Sequence, residues 1–324
     1  MLFYNKQKSR IFFHATKFLL IFSLVLCSFC ACNSNKNGTK DLEADPQQGT
    51  LRLFVDESFE PIISQQIMVF ESSFPKAHII VKYEPEADCF RDFEKDSTNM
   101  IIVARGLKED ESKYYNSKLG HRPRFSIIAF DAVSMIVNAD ASDSVFSLKE
   151  LDKMLTSNNK QPYQVILDGE NATSTVRYLL DSITHGKSFG NNVSGAKGSK
   201  QVIDLVASNK NAVGFVGSSW VGNADDPEQL AYFNKVHLAY VECKIPDSTG
   251  VFARPSQSTI YNMQYPLVRP LYCVLKDNYI GLGTSFYNFL SFQRGQLIFR
   301  RGNLVPAKMN FTIRTVNDFA TKKK

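Results

Sequence analysis

Three short apolar runs alternate with amphipathic stretches in the first third of the chain, and that alternation restricts the fold more than any other feature. TLRLFV (50–55), HIIVKY (78–83) and NMIIVA (99–104) each read as a strand. Between the first two, Phe59, Ile62, Ile63, Ile67, Phe70 and Phe74 recur at helical spacing, with Ser58 placed as an N-cap and Pro61 in the first turn, where proline is tolerated. A polar helical stretch covers 86–96. Strand, helix and strand in turn predict a sheet layered with helices, the α/β class. The pattern persists downstream. A longer β run at 125–138 divides at Asp131, as expected where a chain crosses between domains. SLKELDKML opens with a capping box of Ser147 and Glu150. Further strands read at 163–167, 211–217, 236–241 and 270–276, with helices after 173 and near 199–208. The last strong element, GTSFYNFLSFQRGQLIFRRG, predicts one helix with Phe286, Phe289, Leu290, Leu297 and Ile298 inward.

The N-terminus reads differently. Lys6, Lys8, Arg10 and Lys17, with no acid, precede the apolar run Phe18 to Cys27, the order of a secretory signal and too short for a confident membrane span. SFCAC places Ala31 before Cys32 and is similar to a bacterial lipobox, which assigns residues 1–31 to a lipoprotein signal peptide, Cys32 to lipidation, and 32–49 to a flexible polar tether. Without residues 1–31 the chain carries 34 basic against 32 acidic residues, so its formal charge of +6 falls to +2 and offers no basis for nucleic-acid binding. Cys89, Cys243 and Cys273 lack zinc or disulfide-scaffold spacing, with one bridge left open. The five histidines are scattered and form no metal pair, and no cofactor is expected.

Two clusters carry chemistry. In DGENATSTVRYLL, Asn171, Thr173, Ser174 and Thr175 separate the run ending at Leu167 from a helix marked by Val176, Leu179, Leu180 and Ile183. Glu57, Ser58 and Phe59 stand in the same position after the first strand. Each cluster sits at a helix N-terminus, whose unpaired N–H groups and partial positive charge are met either by a capping side chain or by an anion. Taken alone, the residues leave both open. Enzyme motifs fare poorly: GSSWVG lacks the second glycine of a nucleophile elbow, and GNNVSGAKGSK breaks the P-loop order at Ala196.

YNMQYPLVRPLYCVLK (261–276) resembles the Y-P-L-x-R-P-L-Y segment of the phosphate-binding, type II periplasmic binding protein family. FYNFLSFQRGQLIFRRGNLVP, FDAVSMIVN, NAVGFVG and ATSTVRYL resemble further segments of that family in its order, over nearly all of 50–306. The resemblance implies an α/β, two-lobed fold with mixed β-sheets and two crossover strands, with lobe 1 from 50–130 plus 243–324 and lobe 2 from 131–242. It implies a monomeric periplasmic lipoprotein, anchored to a bacterial membrane, that binds phosphate or a similar oxyanion and delivers it to an ABC permease. Glu57, Ser58, Phe59, Thr173, Ser174 and Thr175 would then hold the ligand. Two departures stand out: the arginine before the family's S-G-T is replaced at Gly169 or Glu170, and VARGLKEDE has Arg105 where an acid is usual. Arg105 is therefore the expected cation, with Arg177 as a second source, because a guanidinium forks onto a tetrahedral oxyanion. The same departures motivate an alternative, a sensor or interaction protein whose cleft has lost phosphate.

Overall fold

A computed structural model describes residues 45–159, 161–170, 173–223, 225–244, 250–308 and the backbone of 319–321. The signal peptide, Cys32, most of the tether and Asn171 lie outside these residues. From Ala44 onward the chain forms one compact unit.

The first lobe opens with β1 (Gln48–Asp56), α1 (Glu60–Ser73), β2 (Lys76–Glu84), α2 (Glu86–Phe93), β3 (Met100–Val103) and α3 (Glu109–Leu119). β1 pairs in parallel with β2 on one side and with β3 on the other. One face of the sheet buries Leu51, Leu53 and Val55 against Ile63 and Phe70 of α1, so the helical spacing read from the sequence is the packing face. Ser58 is not the cap of α1. A short 3-10 turn, Glu57–Phe59, intervenes, and the Asp56 carboxylate accepts its Ser58 N–H.

β4 (Arg124–Asn138) crosses into the second lobe without a break at Asp131. Its first half pairs antiparallel with a returning strand and its second half with a strand of lobe 2, so one long strand serves both cores. The second lobe continues with β5 (Val145–Phe146), α4 (Leu148–Thr156), β6 (Gln164–Leu167), α5 (Ser174–Ser182), β7 (Val193–Gly195), α6 (Ser199–Ser208), β8 (Ala212–Gly217), α7 (Pro227–Phe233), β9 (Val236–Leu238) and β10 (Tyr240–Glu242); β11 (Val251–Ala253), paired with β10, and α8 (Gln257–Tyr261) follow in the chain. Ser147 caps α4 through the expected box with Glu150. Met135, Val137, Leu151, Leu179 and Phe215 lie in its core. β12 (Val268–Leu275) returns between β3 and β4, antiparallel to both, and completes the order β2-β1-β3-β12-β4-β8-β6-β7. β1 with β2 and β3, and β6 with β7 and β8, thus pair in parallel, while β4 and β12 pair antiparallel at the crossing. A register shift between Leu271 and Tyr272 sits next to Pro270, whose missing N–H suits an irregular ladder.

The C-terminal stretch is two helices, α9 (Leu282–Ser291) and α10 (Gln293–Arg301), followed by β13 (Val305–Pro306) and β14 (Phe319–Thr321). Phe292 is extended between the helices, and the turn brings the Gln296 amide onto the carbonyls of Leu290 and Ile128. The break shifts the helical phase: Phe299 is buried and Leu297 is 43% exposed, the reverse of the single-helix expectation for Leu297.

The segment YPLVRPLY is the joint of the crossing. The Tyr265 hydroxyl donates to Val133 O at 2.9 Å and accepts from Met135 N–H at 3.2 Å, which pins β4 where it enters lobe 2. Tyr265→Phe removes both partners from buried backbone groups. It is expected to cost about 1–3 kcal/mol, read as a lower urea midpoint at unchanged m-value.

Candidate functional site

The antiparallel register of β4 and β12 sets Asp131 directly opposite Arg269. Both side chains are buried, at 0% and 1% exposure. Arg269 Nε and Nη2 donate to Asp131 Oδ2 at 3.0 and 2.9 Å. The two terminal nitrogens also reach forward: Nη1 donates to Ser174 Oγ at 2.7 Å and Nη2 to Ser58 Oγ at 3.0 Å. The Phe59 ring completes the cage, its centroid 4.7 Å from the guanidinium carbon. One cation on a crossing strand therefore joins the helix starts of both lobes, and the two serine oxygens lie 3.4 Å apart.

Local chemistry explains how each group arrives there. β1 and β6 end at the junction: β1 closes with Asp56, β6 is followed at once by Asp168, and a hydroxyl-bearing turn comes after each. Thr173 caps α5 by accepting from Val176 N–H. β8 ends at Gly217, where an added Cβ would lie 2.4 Å from the carbonyl oxygen of Ser58, so only glycine lets the two backbones approach this closely. Beyond it, Ser219 Oγ donates to Ser58 O at 2.9 Å, and the Trp220 indole N–H donates to Glu57 O at 3.3 Å.

Acids outnumber the single cation. Asp56 Oδ1 accepts from Ser58 N–H and Oγ–H at 3.0 and 2.7 Å, while its Oδ2 is buried with no hydrogen-bond partner among the described residues. Asp168 accepts from Thr173 Oγ1 and Thr175 Oγ1, each at 2.6 Å. Glu57 reaches α6, where Ser199 donates its N–H and Oγ–H at 2.8 and 2.9 Å. Asp131 Oδ1 accepts from Ser218 N–H and Oγ–H. Burial pushes the Glu57 carboxyl up to about 8, aided by Asp168 and Asp56 and opposed by the bonds from Ser199. Burial likewise pushes Asp168 up to about 6, against the pull of its two threonine hydroxyls. For Arg269, burial works against the charge, but Asp131, with Asp56 and Asp168 near it, outweighs burial and holds the guanidinium above the ordinary arginine value.

The structure brings Glu57, Ser58, Phe59, Thr173, Ser174 and Thr175 to this junction. Arg105 sits elsewhere: its guanidinium forks onto Glu111 at 2.8 Å for each bond and stacks 3.5 Å from the Phe90 centroid. Arg177 forks onto Glu86, which also accepts from Ala104 N–H. Sequence reasoning did not pick out Arg269, Asp131, Asp56 or Asp168 as site residues. The available signal was a pair of opposite charges inside two otherwise apolar strand-like runs, PLVRPLY and FDAVSMIV, together with an acid closing each run ahead of a hydroxyl cluster. A hollow of about 560 Å³ lined by Gly222, His237, Tyr240 and Arg254 involves none of these residues. Cys89, Cys243 and Cys273 are buried free thiols.

The profile of the PBP superfamily domain matches residues 43–292, and the chain belongs to that superfamily, one of binding proteins rather than enzymes. No curated protein sequence matches it closely enough to stand as a relative. Among solved structures the chain is similar to a putative phosphate ABC transporter substrate-binding protein from Clostridium perfringens with bound phosphate. The TM-score is 0.63 at 19% identity, over 80% of this chain and 100% of that one. It is also similar to an ABC-type phosphate transport receptor from Vibrio cholerae, with TM-score 0.57 at 16% identity over 80% and 100%. The CcmR regulatory domain of Synechocystis in complex with 2-PG follows, with TM-score 0.51 at 12% identity over 75% and 96%. At these identities the likeness is one of fold.

Two outcomes are expected from the site chemistry. Asp131→Asn leaves Arg269 as a buried charge without its counter-ion and should cost about 3–5 kcal/mol in chemical denaturation. Glu57 titrates near 4.5 when free and near 8 in the fold, so between these values the folded chain holds a proton that the unfolded chain has released. Stability then falls as pH rises through that window, by at most about 1.4 kcal/mol per pH unit. Asp168 acts with the same sign between 3.8 and about 6. Glu57→Gln is expected to flatten the slope between about pH 6 and about pH 8 in denaturation curves.

Proposed function

We propose that the chain is an extracytoplasmic solute-binding protein that captures phosphate or a similar oxyanion at the junction of its lobes and delivers it to an ABC permease, held to a bacterial membrane through lipid on Cys32. One observation carries this reading: two hydroxyls in different lobes, Ser58 in the turn before α1 and Ser174 at the start of α5, converge on a single buried guanidinium. A helix start supplies only about 0.3–1 kcal/mol to an exposed anion, so a receptor needs several charge-assisted hydrogen bonds in a dry cleft. Arg269 and Ser174 at the start of α5 are the donors a solute would meet, with Ser58, whose hydroxyl is given to Asp56, and Glu57, Phe59, Thr173 and Thr175 shaping the surround. Arg105 is engaged by Glu111, so Arg269 takes the role of the anion-binding cation in this proposal. Closure of the lobes on the solute is the affinity step, by population shift between open and closed forms. The phosphate bound in the Clostridium perfringens protein of similar fold agrees with this ligand class.

A second reading is favoured by the allocation of hydrogen-bond donors. Thr173 and Thr175 give their hydroxyl protons to Asp168, Ser58 gives its own to Asp56, and Arg269 faces Asp131. Such a centre suits a sensor or interaction protein whose cleft holds no phosphate. Titration calorimetry with phosphate, sulfate and a neutral sugar separates the two. A transport receptor gives saturable heat with one oxyanion, and Ser174→Ala weakens that binding by at least about tenfold. Absence of heat with every oxyanion decides for the interaction protein.

A further inference from the structure

We propose that Arg269 is an internal latch, a guanidinium on the crossing strands that holds the two lobes together through protein-only hydrogen bonds, so that closure of the cleft does not depend on a solute. The geometry is that of a strut with three feet. Asp131 fixes the guanidinium from behind by two bonds to one oxygen, which orients both terminal nitrogens toward the junction. Nη2 then meets Ser58 in the first lobe and Nη1 meets Ser174 in the second. Both serines are fully buried, so water does not compete for these bonds. Lysine could not replace this arrangement, because a single ammonium lacks the planar fork that serves several acceptors at fixed angles.

The bonds around the strut close the same seam. Glu57 is bound to Ser199 at the start of α6, the carbonyl of Ser58 to Ser219, and the carbonyl of Glu57 to Trp220. Further out, Arg177 of α5 forks onto Glu86 of α2. The segment Glu57–Phe59 is thus tied to two elements of lobe 2, the start of α6 and the turn Ser218–Trp220, and Arg269 is the charged member at its centre. A solute entering between Ser58 and Ser174 has to replace the guanidinium contacts that these hydroxyls already make. Under the transport reading a solute has to displace these contacts before the lobes can close on it, so the latch sides with the second reading of the cleft, and its own test below needs no solute.

Hydrogen–deuterium exchange on the full chain without added solute tests this directly. Wild type is expected to protect the amides of Ser199–Val202 and Ser218–Val221, which face Glu57 and Ser58. Ser174→Ala, which removes the shorter of the two Nη1 contacts in the second lobe and leaves the 3.4 Å contact to Thr175, is expected to speed exchange at both segments by about tenfold or more. Amides of Leu53 and Val213, in the two cores, should exchange at wild-type rates and report that each lobe remains folded. Arg269→Lys is the second variant and should open the same seam, so that a folding failure in one leaves the other to decide. Wild-type protection that survives in both variants overturns the latch. So does wild-type exchange at these segments as fast as in exposed loops, because the lobes would then stand apart without a solute.

Discussion

A guanidinium buried opposite a carboxylate governs this molecule. Neither charge could be sheltered alone, since an isolated ion in the interior carries a penalty of several kcal/mol. Because Asp131 and Arg269 lie on different crossing strands, their pairing also selects a register. A slip of β12 by one residue would turn Arg269 onto the face of the sheet opposite Asp131 and separate the charges. The bulge after Leu271 and the tyrosine hydroxyl at Val133 and Met135 fall on either side of that pair, so the joint between lobes is fixed over a short length of chain. Both lobes are then built outward from a common centre, with the apolar face of β1 on one side and the second half of β4 on the other.

The charge balance of that centre differs from what a strong anion receptor would be expected to have. Asp56, Glu57, Asp131 and Asp168 surround one arginine, and two of them are pushed toward their protonated forms, to about 8 for Glu57 and about 6 for Asp168. Hydroxyl groups that look like ligand donors in sequence are donors already in use. The same side chain can cap a helix, hold the carboxylate at the end of its own strand or greet a solute, and rotation about one bond selects among these.

This explains what could be read in advance. The strands at 51–55 and 100–103, the face of α1 and the cap at Ser147 follow from local periodicity and local hydrogen bonding, and each is where the spacing put it. The two-lobed frame came from segments resembling a known family, since no local pattern tells which strands lie side by side. Asp131 and Arg269 are 138 positions apart, and their meeting rests on register. Arg105 lies near the family's site in sequence, but Glu111, one helical turn into α3, gives it a closer partner. The final helix was read as continuous because nothing in its composition marks Phe292, while Gln296 makes the break worthwhile by bonding carbonyls that the turn exposes.

The contact at Gly217 has a wider consequence. There the lobes touch main chain against main chain, with no side chain to trim and no gap to fill. A substitution that reshapes the junction is therefore accommodated toward the rim, where Glu57 meets Ser199 and where Gly198 already occupies a backbone shape, φ +129°, that side-chain-bearing residues rarely adopt. Change at the seam is thus channelled to one border, while the contact at Gly217 stays closed to remodelling.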